Sequence, residues 1–193
     1  MQGRESGFSL AEVMVAIAIL VAITWFGMPA LHAYTAESSL VARAEVFKGE
    51  FRRARSIAIR SNRQTALRFE QRSDGIYVGI YRDGDFDGVL SRDIQRGIDP
   101  LVETPVRIGD ATRVRVGIAE GVPEPPPGRG MLDPEDPIRF GRSDMISFSP
   151  LGTATPGTLY LTGYGLQMAV RVTGTDARIR TMIWRGAGWR NHR

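Results

Sequence analysis

The sequence predicts an α+β fold: a long N-terminal helix, membrane-spanning in its first half, packed in its second half on an antiparallel β-sheet head. Three observations predict it. Nineteen residues from Val13 to Leu31 carry no charge, a length that as a helix nearly crosses a bilayer core at about 1.5 Å per residue. From Ala30 to about Asn62 apolar residues recur every three or four positions, the period of an amphipathic helix. After Asn62 that period stops, and short runs rich in β-branched and aromatic residues take over, as strands require.

The uncharged run follows a short polar stretch, Met1 to Ser6. A cleaved secretory signal would use Leu31-His32-Ala33 as its cleavage site, but the leader holds one Arg4 offset by Glu5 and the run exceeds a usual signal core. A buried core helix is disfavoured because no polar face interrupts Val13 to Ile23. In the amphipathic part, Leu40, Ala44, Phe47, Phe51, Ala54 and Ala58 form one stripe, with Arg52, Arg53 and Arg60 elsewhere. One continuous helix of about 50 residues is the simplest account.

Strands are expected at Thr65 to Glu70, Ile76 to Arg82, Arg113 to Ile118, Met145 to Ser149, Thr158 to Thr162, Leu166 to Val172 and Ala177 to Trp184. Alternation in Arg113-Val114-Arg115-Val116 marks a sheet with one wet face. Gly121 to Pro137, including Pro125-Pro126-Pro127-Gly128, suits neither a helix nor a central strand and predicts a long surface loop with room to move. No internal repeat is visible.

The chain has 193 residues, 42% hydrophobic and 24% charged, which fits one folded domain with an added segment and excludes disorder or a collagen-like repeat. Without cysteine, disulfide scaffolds, thiolate zinc sites and cysteine nucleophiles are excluded. Lys48 is the only lysine, leaving 24 of the 25 basic residues as arginine, whose planar fork suits phosphate or carboxylate. His32 and His192 are the only histidines, so an enzyme would rely on carboxylates. No Ser-His-Asp order, phosphate loop or His-Glu pairing appears, and Glu120 and Glu124 sit in the proline-rich loop without a partner histidine. The expectation is a non-enzymatic protein without a cofactor.

The junction Gly7-Phe8-Ser9-Leu10-Ala11-Glu12, followed at once by the apolar run, resembles the class III leader of type IV pilins and pseudopilins. That resemblance implies that a prepilin peptidase cuts after Gly7, that Phe8 becomes the N-methylated terminus, and that Glu12 is the family's acidic fifth mature residue. A carboxylate at the edge of an apolar helix is costly in lipid unless paired; the partner implied is a neighbouring subunit's terminal amine, making Glu12 the subunit-assembly residue. Pro29 also matches the family, and neighbouring helices make such a proline tolerable. The segment from Met145 to Leu161, with Phe148-Ser149-Pro150-Leu151-Gly152 before Gly157 and an apolar strand, resembles the GspH/FimT pseudopilins. The resemblance implies a minor pilin or pseudopilin of a type IV pilus or type II secretion pseudopilus, priming assembly or placed at the tip. Its organisation would be leader 1–7, transmembrane and fibre-core helix 8–31, amphipathic helix 32–62 and periplasmic head 63–193. Other pilins, the prepilin peptidase and the inner membrane are the implied partners.

Charge is uneven: −2 over Met1 to Ala42, +6 over Arg43 to Arg72, −5 over Ser73 to Asp144 and +5 over Met145 to Arg193. Solvated faces that pair between subunits are one explanation. A second concerns the tail. A hairpin turning at Gly174-Thr175 would set Val170 opposite Ile179 on the core face and Arg171 opposite Arg178 on the other, with Arg180 and Arg185 following. Like charges directly opposite destabilise a sheet, so this ladder asks for an anion, and double-stranded DNA with Trp184 and Trp189 stacking is the alternative partner. Some pilus members of the resembling family bind DNA through glycine-arginine-x-arginine; here Ala177-Arg178-Ile179-Arg180 keeps both arginines without the glycine. Asp83, Asp85 and Asp87, with Gly88, mimic the first half of an EF-hand loop, but position 12 is Ile94 and Asp93 falls one place early. In the resembling family such a turn usually closes a hairpin. A surface hydrolase or calcium-dependent adhesin would require activity or calcium-dependent stability.

Overall fold

The computed structural model describes residues 9–107 and 114–192; within the long helix the side chains at positions 26, 27, 29, 30 and 32 are not described. The described chain divides into two compact units between Ser38 and Ser39. Helix α1 (Leu10–Ser61) contributes its residues up to Ser38 to the first and the remainder to the second. In the first unit the apolar side chains are turned outward, among them Leu10, Ile17, Leu20 and Trp25. The hydroxyl of Thr24 donates to the Leu20 carbonyl at 2.7 Å, which satisfies a polar group on an otherwise apolar surface. Among the described residues no helix is long and apolar enough to cross a membrane; Phe26, Gly27, Pro29 and Ala30 of the nineteen-residue uncharged run are not among those whose side chains are described.

The second unit is built around the expected stripe. Leu40, Phe47, Phe51, Ala54 and Ala58 are fully buried, Ala44 nearly so, and Ile57 joins them. Arg52, Arg53 and Arg60 lie on the exposed face. Burying a large apolar side chain contributes about 1.5–3 kcal/mol, so this stripe holds the helix down more than its intrinsic propensity does. The helix ends where Asn62 adopts a left-handed φ of 51° and the Arg63 N–H reaches back to the Ala58 carbonyl at 3.3 Å, the wide hydrogen bond of a Schellman cap.

Among the described residues ten strands follow: β1 (Thr65–Arg72), β2 (Gly75–Arg82), β3 (Leu101–Arg107), β4 (Val114–Val116), β5 (Ile138–Arg139), β6 (Met145–Phe148), β7 (Gly157–Gly163), β8 (Leu166–Val172), β9 (Ile179–Trp184) and β10 (Trp189–His192), with a short helix α2 (Ser91–Arg96) between β2 and β3. They form two antiparallel sheets, one ordered β3-β2-β1-β6 and the other β10-β9-β8-β7-β4, with β5 also on β7. Each expected strand is present within a few residues. Four further elements, α2, β3, β5 and β10, carry weak signals: β3 contains Pro105 and Glu103 and is an edge strand with irregular register, where a missing N–H is tolerated.

One core joins the helix stripe to Leu67, Phe69, Val78, Ile146 and Phe148 of the first sheet and Leu159, Leu161, Met168, Val170 and Ile183 of the second. Phe51 meets Phe69 and Phe140 edge-on, with ring centres 6.4 and 5.8 Å apart, a preferred aromatic geometry. Each sheet is covered over part of its second face, with Arg72 of the first and Arg115 and Arg180 of the second left exposed there. Ala66 and Tyr81 of the first sheet pack with Val89 and Ile94 from residues 83–99. Tyr160, Ala169 and Met182 of the second pack with Ile118, Val122 and Leu132, which bears on two expectations. The proline-rich segment is the long surface loop expected, most of it exposed, but Val122, Pro125 and Leu132 anchor it as a cover over the second sheet; at β4, Val114 is buried and Arg115 exposed, the alternation expected of a strand with one wet face.

Candidate functional site

At the N-terminus, Gly7 and Phe8 lie outside the described residues. Glu12 sits in the first turn of α1. Its Oε2 accepts the backbone N–H of Ser9 at 3.2 Å, and Ser9 Oγ accepts the N–H of Ala11 at 3.2 Å. The two side chains thus satisfy helix-end donors reciprocally, a capping box of the type Ser-x-x-Glu. The carboxylate also offsets the positive end of the helix dipole. A second oxygen with free lone pairs remains for another donor. This capping role was legible in the spacing of Ser9 and Glu12 ahead of an apolar run.

In the tail the register differs from expectation. Strand β8 pairs β9 with Arg171 opposite Arg180 and Val172 opposite Ile179, two residues away from the expected pairing of Arg171 with Arg178 and Val170 with Ile179. The cause is the turn. The connection runs over six residues, Thr173 to Arg178. In it the Thr173 N–H donates to the Arg178 carbonyl at 3.0 Å, and the Arg178 N–H donates to Thr173 Oγ1 at 3.1 Å. The Gly174 carbonyl is taken by the Ala154 N–H at 2.8 Å, and Ala177 adopts a left-handed φ of 47°.

The arginines therefore have separate fates. Arg178 is exposed in the turn and its Nε lies 3.4 Å from Asp176. The hydroxyl of Thr173 holds the Asp176 carboxyl below its usual range. Arg171 donates to the carbonyls of Pro126 and Pro125 at 2.6 and 3.2 Å and to Thr158 Oγ1 at 3.4 Å. Arg180 is exposed and has no hydrogen-bond or ion-pair partner among the described residues. Arg185 is exposed in the β9–β10 turn. Trp184 and Trp189 pack against each other with ring centres 6.0 Å apart and planes tilted by 47°, and the Trp189 indole N–H donates to the Pro123 carbonyl at 2.8 Å. They are half-buried against the cover rather than presented as open stacking platforms.

Beneath the cover, Gln167 is buried; its Oε1 accepts the Ala119 N–H at 2.8 Å, and its Nε2 donates to the Gly117 and Leu161 carbonyls, each at 3.0 Å. Arg139 pairs with Glu124 at 2.9 Å, and burial pushes the Tyr160 hydroxyl up. Sequence reasoning did not single out Gln167; a polar residue in an apolar strand was its signal.

The carboxylate oxygens of Asp83, Asp85 and Asp87 come within 4.8 Å of one another. Asp83 is buried, and both its oxygens are occupied: Oδ1 by the N–H of Asp85 and Phe86 at 3.2 and 2.7 Å, Oδ2 by that of Gly88 at 3.2 Å. Asp87 pairs with Arg92 at 2.9 Å; desolvation and the neighbouring Asp85 push its carboxyl up. Ile94 lies in α2 and the Asp93 carboxylate turns to Arg92 at 3.0 Å. These carboxylates organise the loop that covers the first sheet.

A capped N-terminal helix, with its later turns forming the spine of a two-sheet head, defines a pilin-class subunit. Residues 43–176 match the family model described as Type II transport protein GspH, and residues 3–27 match the prokaryotic N-terminal methylation motif. The chain belongs to the GspH family of pseudopilins and minor pilins, subunits of type II secretion or type IV pilus fibres. Membership implies a membrane-anchored pilin, processed by a prepilin peptidase and assembled with other pilins. No curated protein and no solved structure matches the chain.

Proposed function

We propose that this subunit primes assembly at, or occupies, the tip of its fibre, with Glu12 as the residue that registers it against its neighbours. The observation that supports this most directly is the geometry at Glu12: the carboxylate is exposed at the first turn of α1, held by a single N–H of its own chain. A carboxylate so placed on an apolar helix gains from a second donor in a membrane or fibre core. The reading divides the chain into a leader 1–7, a transmembrane and fibre-core helix 8–31, its amphipathic continuation 32–62 and a head 63–193. Cleavage after Gly7 would leave Phe8 as the methylated terminus and Ser9 as the helix cap. The protein would cross the inner membrane once with its head in the periplasm, and its work would be structural rather than enzymatic.

The test separates charge from capping. Glu12→Gln keeps an oxygen for the Ser9 N–H, as either residue serves in a capping box, but removes the charge; Glu12→Lys reverses it. Both variants should be processed and reach the membrane yet be absent from sheared fibres. Recovery of either variant in fibres at the level of the unsubstituted protein refutes the pairing.

A further inference from the structure

We propose that the cleft between the proline cover and the β9–β10 edge binds a carboxylate-bearing peptide segment of a partner protein, an acidic residue beside an apolar one. The cleft is about 470 Å³, lined by Pro126, Pro127, Arg171, Arg180, Met182 and Trp189, with Thr173 and Asn191 at its edge. That volume falls within the usual range of ligand clefts, and its mix of apolar walls with a few polar groups is their usual composition.

The charge arrangement names the ligand. Arg171 and Arg180 are directly opposite in the β8–β9 pair, which is unfavourable until an anion joins them. Donors of Arg171 are taken by the carbonyls of Pro125 and Pro126, whereas Arg180 has no partner among the described residues. A guanidinium fork binds one carboxylate through two parallel hydrogen bonds. The proline rings, Met182 and the Trp189 ring leave room for an apolar side chain next to that carboxylate, and the Asn191 amide can meet a peptide group.

A duplex nucleic acid needs a row of cations along its phosphates. Here the row is broken, because Arg178 pairs with Asp176 in the turn and Arg171 is held by the cover. One available guanidinium in a walled cleft fits one anion with an apolar neighbour. The site lies in the head and rests on none of the processing or membrane assignments.

The experiment uses the full chain carrying Trp25→Phe in detergent micelles, so that tryptophan emission reports on the adjacent Trp184 and Trp189. The probes are acetyl-phenylalanyl-aspartyl amide, the same peptide with asparagine, inorganic phosphate and a short DNA duplex. The acidic peptide should give a saturable change, with the asparagine peptide and phosphate weaker by about tenfold or more, the equivalent of one charge-assisted hydrogen bond. Arg180→Gln, at an exposed position, should weaken the acidic peptide by about tenfold while leaving the melting temperature in place; Arg180→Lys should recover part of it, since lysine lacks the fork. Equal binding of both peptides, or unchanged affinity in Arg180→Gln, overturns the proposal. So does a duplex that binds with a steep salt dependence and excludes the peptide.

Discussion

Replacing Gln167 with methionine removes one buried amide and nearly preserves side-chain volume, so the effect isolates hydrogen bonding from packing. The amide makes three hydrogen bonds, to the Ala119 N–H at 2.8 Å and to the Gly117 and Leu161 carbonyls at 3.0 Å, and the residue is 1% exposed. Water does not reach such groups, so each lost partner leaves a desolvated donor or acceptor at a cost of about 1 kcal/mol or more. Three bonds give a loss of about 3 kcal/mol, which for a chain of this size lowers the melting temperature by about 6–12 °C. The assay is urea and thermal unfolding of the full chain in micelles. A second readout locates the effect: residues 117–119 lead into the cover that holds the Trp189 indole through Pro123, so the variant's emission should shift red before global unfolding. A loss below about 1 kcal/mol, with emission unchanged, would refute the view that Gln167 pins the cover.

Asp83→Ala orphans the N–H groups of Asp85, Phe86 and Gly88 and should cost about 2–4 kcal/mol in a urea titration; Asp83→Asn, which keeps one acceptor oxygen, should cost less. The Glu70 carboxyl lies below its ordinary 4.5 chiefly through its hydrogen bond from Arg72, with burial opposing. A depressed folded value means the contribution is present above 4.5 and disappears as pH falls through the lower folded value. Melting temperatures of Glu70→Gln should therefore fall less steeply below pH 4.5 than those of the unsubstituted chain. The difference should be small because the pair is partly exposed to solvent, and identical acid limbs would remove Glu70 from the account.

The helix stripe was legible because each position is local: Leu40, Ala44, Phe47, Phe51, Ala54 and Ala58 all turn to the core, and period alone selects them. Strands with β-branched residues were legible for the same reason. What was not legible depends on partners far along the chain. The β8–β9 register was misplaced because the Gly174 carbonyl, which a short turn would leave free, is bound by Ala154. The error was two residues, so every side chain kept its face, whereas a shift of one would have reversed them all. Arg171 was thus expected on the correct face with the wrong opposite number. Composition marks residues 121–137 as irregular, yet Val122 and Leu132 are buried there, and no local period distinguishes a loop that packs from one that does not.

The cover's attachment follows from what proline lacks. A proline residue has a carbonyl but no N–H, so Pro123, Pro125 and Pro126 bring acceptors without donors to match. The sheet face beneath brings the reverse, because arginine carries five N–H donors and no acceptor and an indole is donor-only. The observed bonds match these surpluses: Trp189 donates to Pro123, and Arg171 donates to Pro125 and Pro126. Lysine at 171 would present a single rotating point charge, unable to span two successive carbonyls from one planar group. The near-exclusive use of arginine thus has a structural reason on this face, independent of any external anion. Arg180 lies outside that reason, opposite Arg171 but beyond the cover's carbonyls, exposed and without a partner among the described residues.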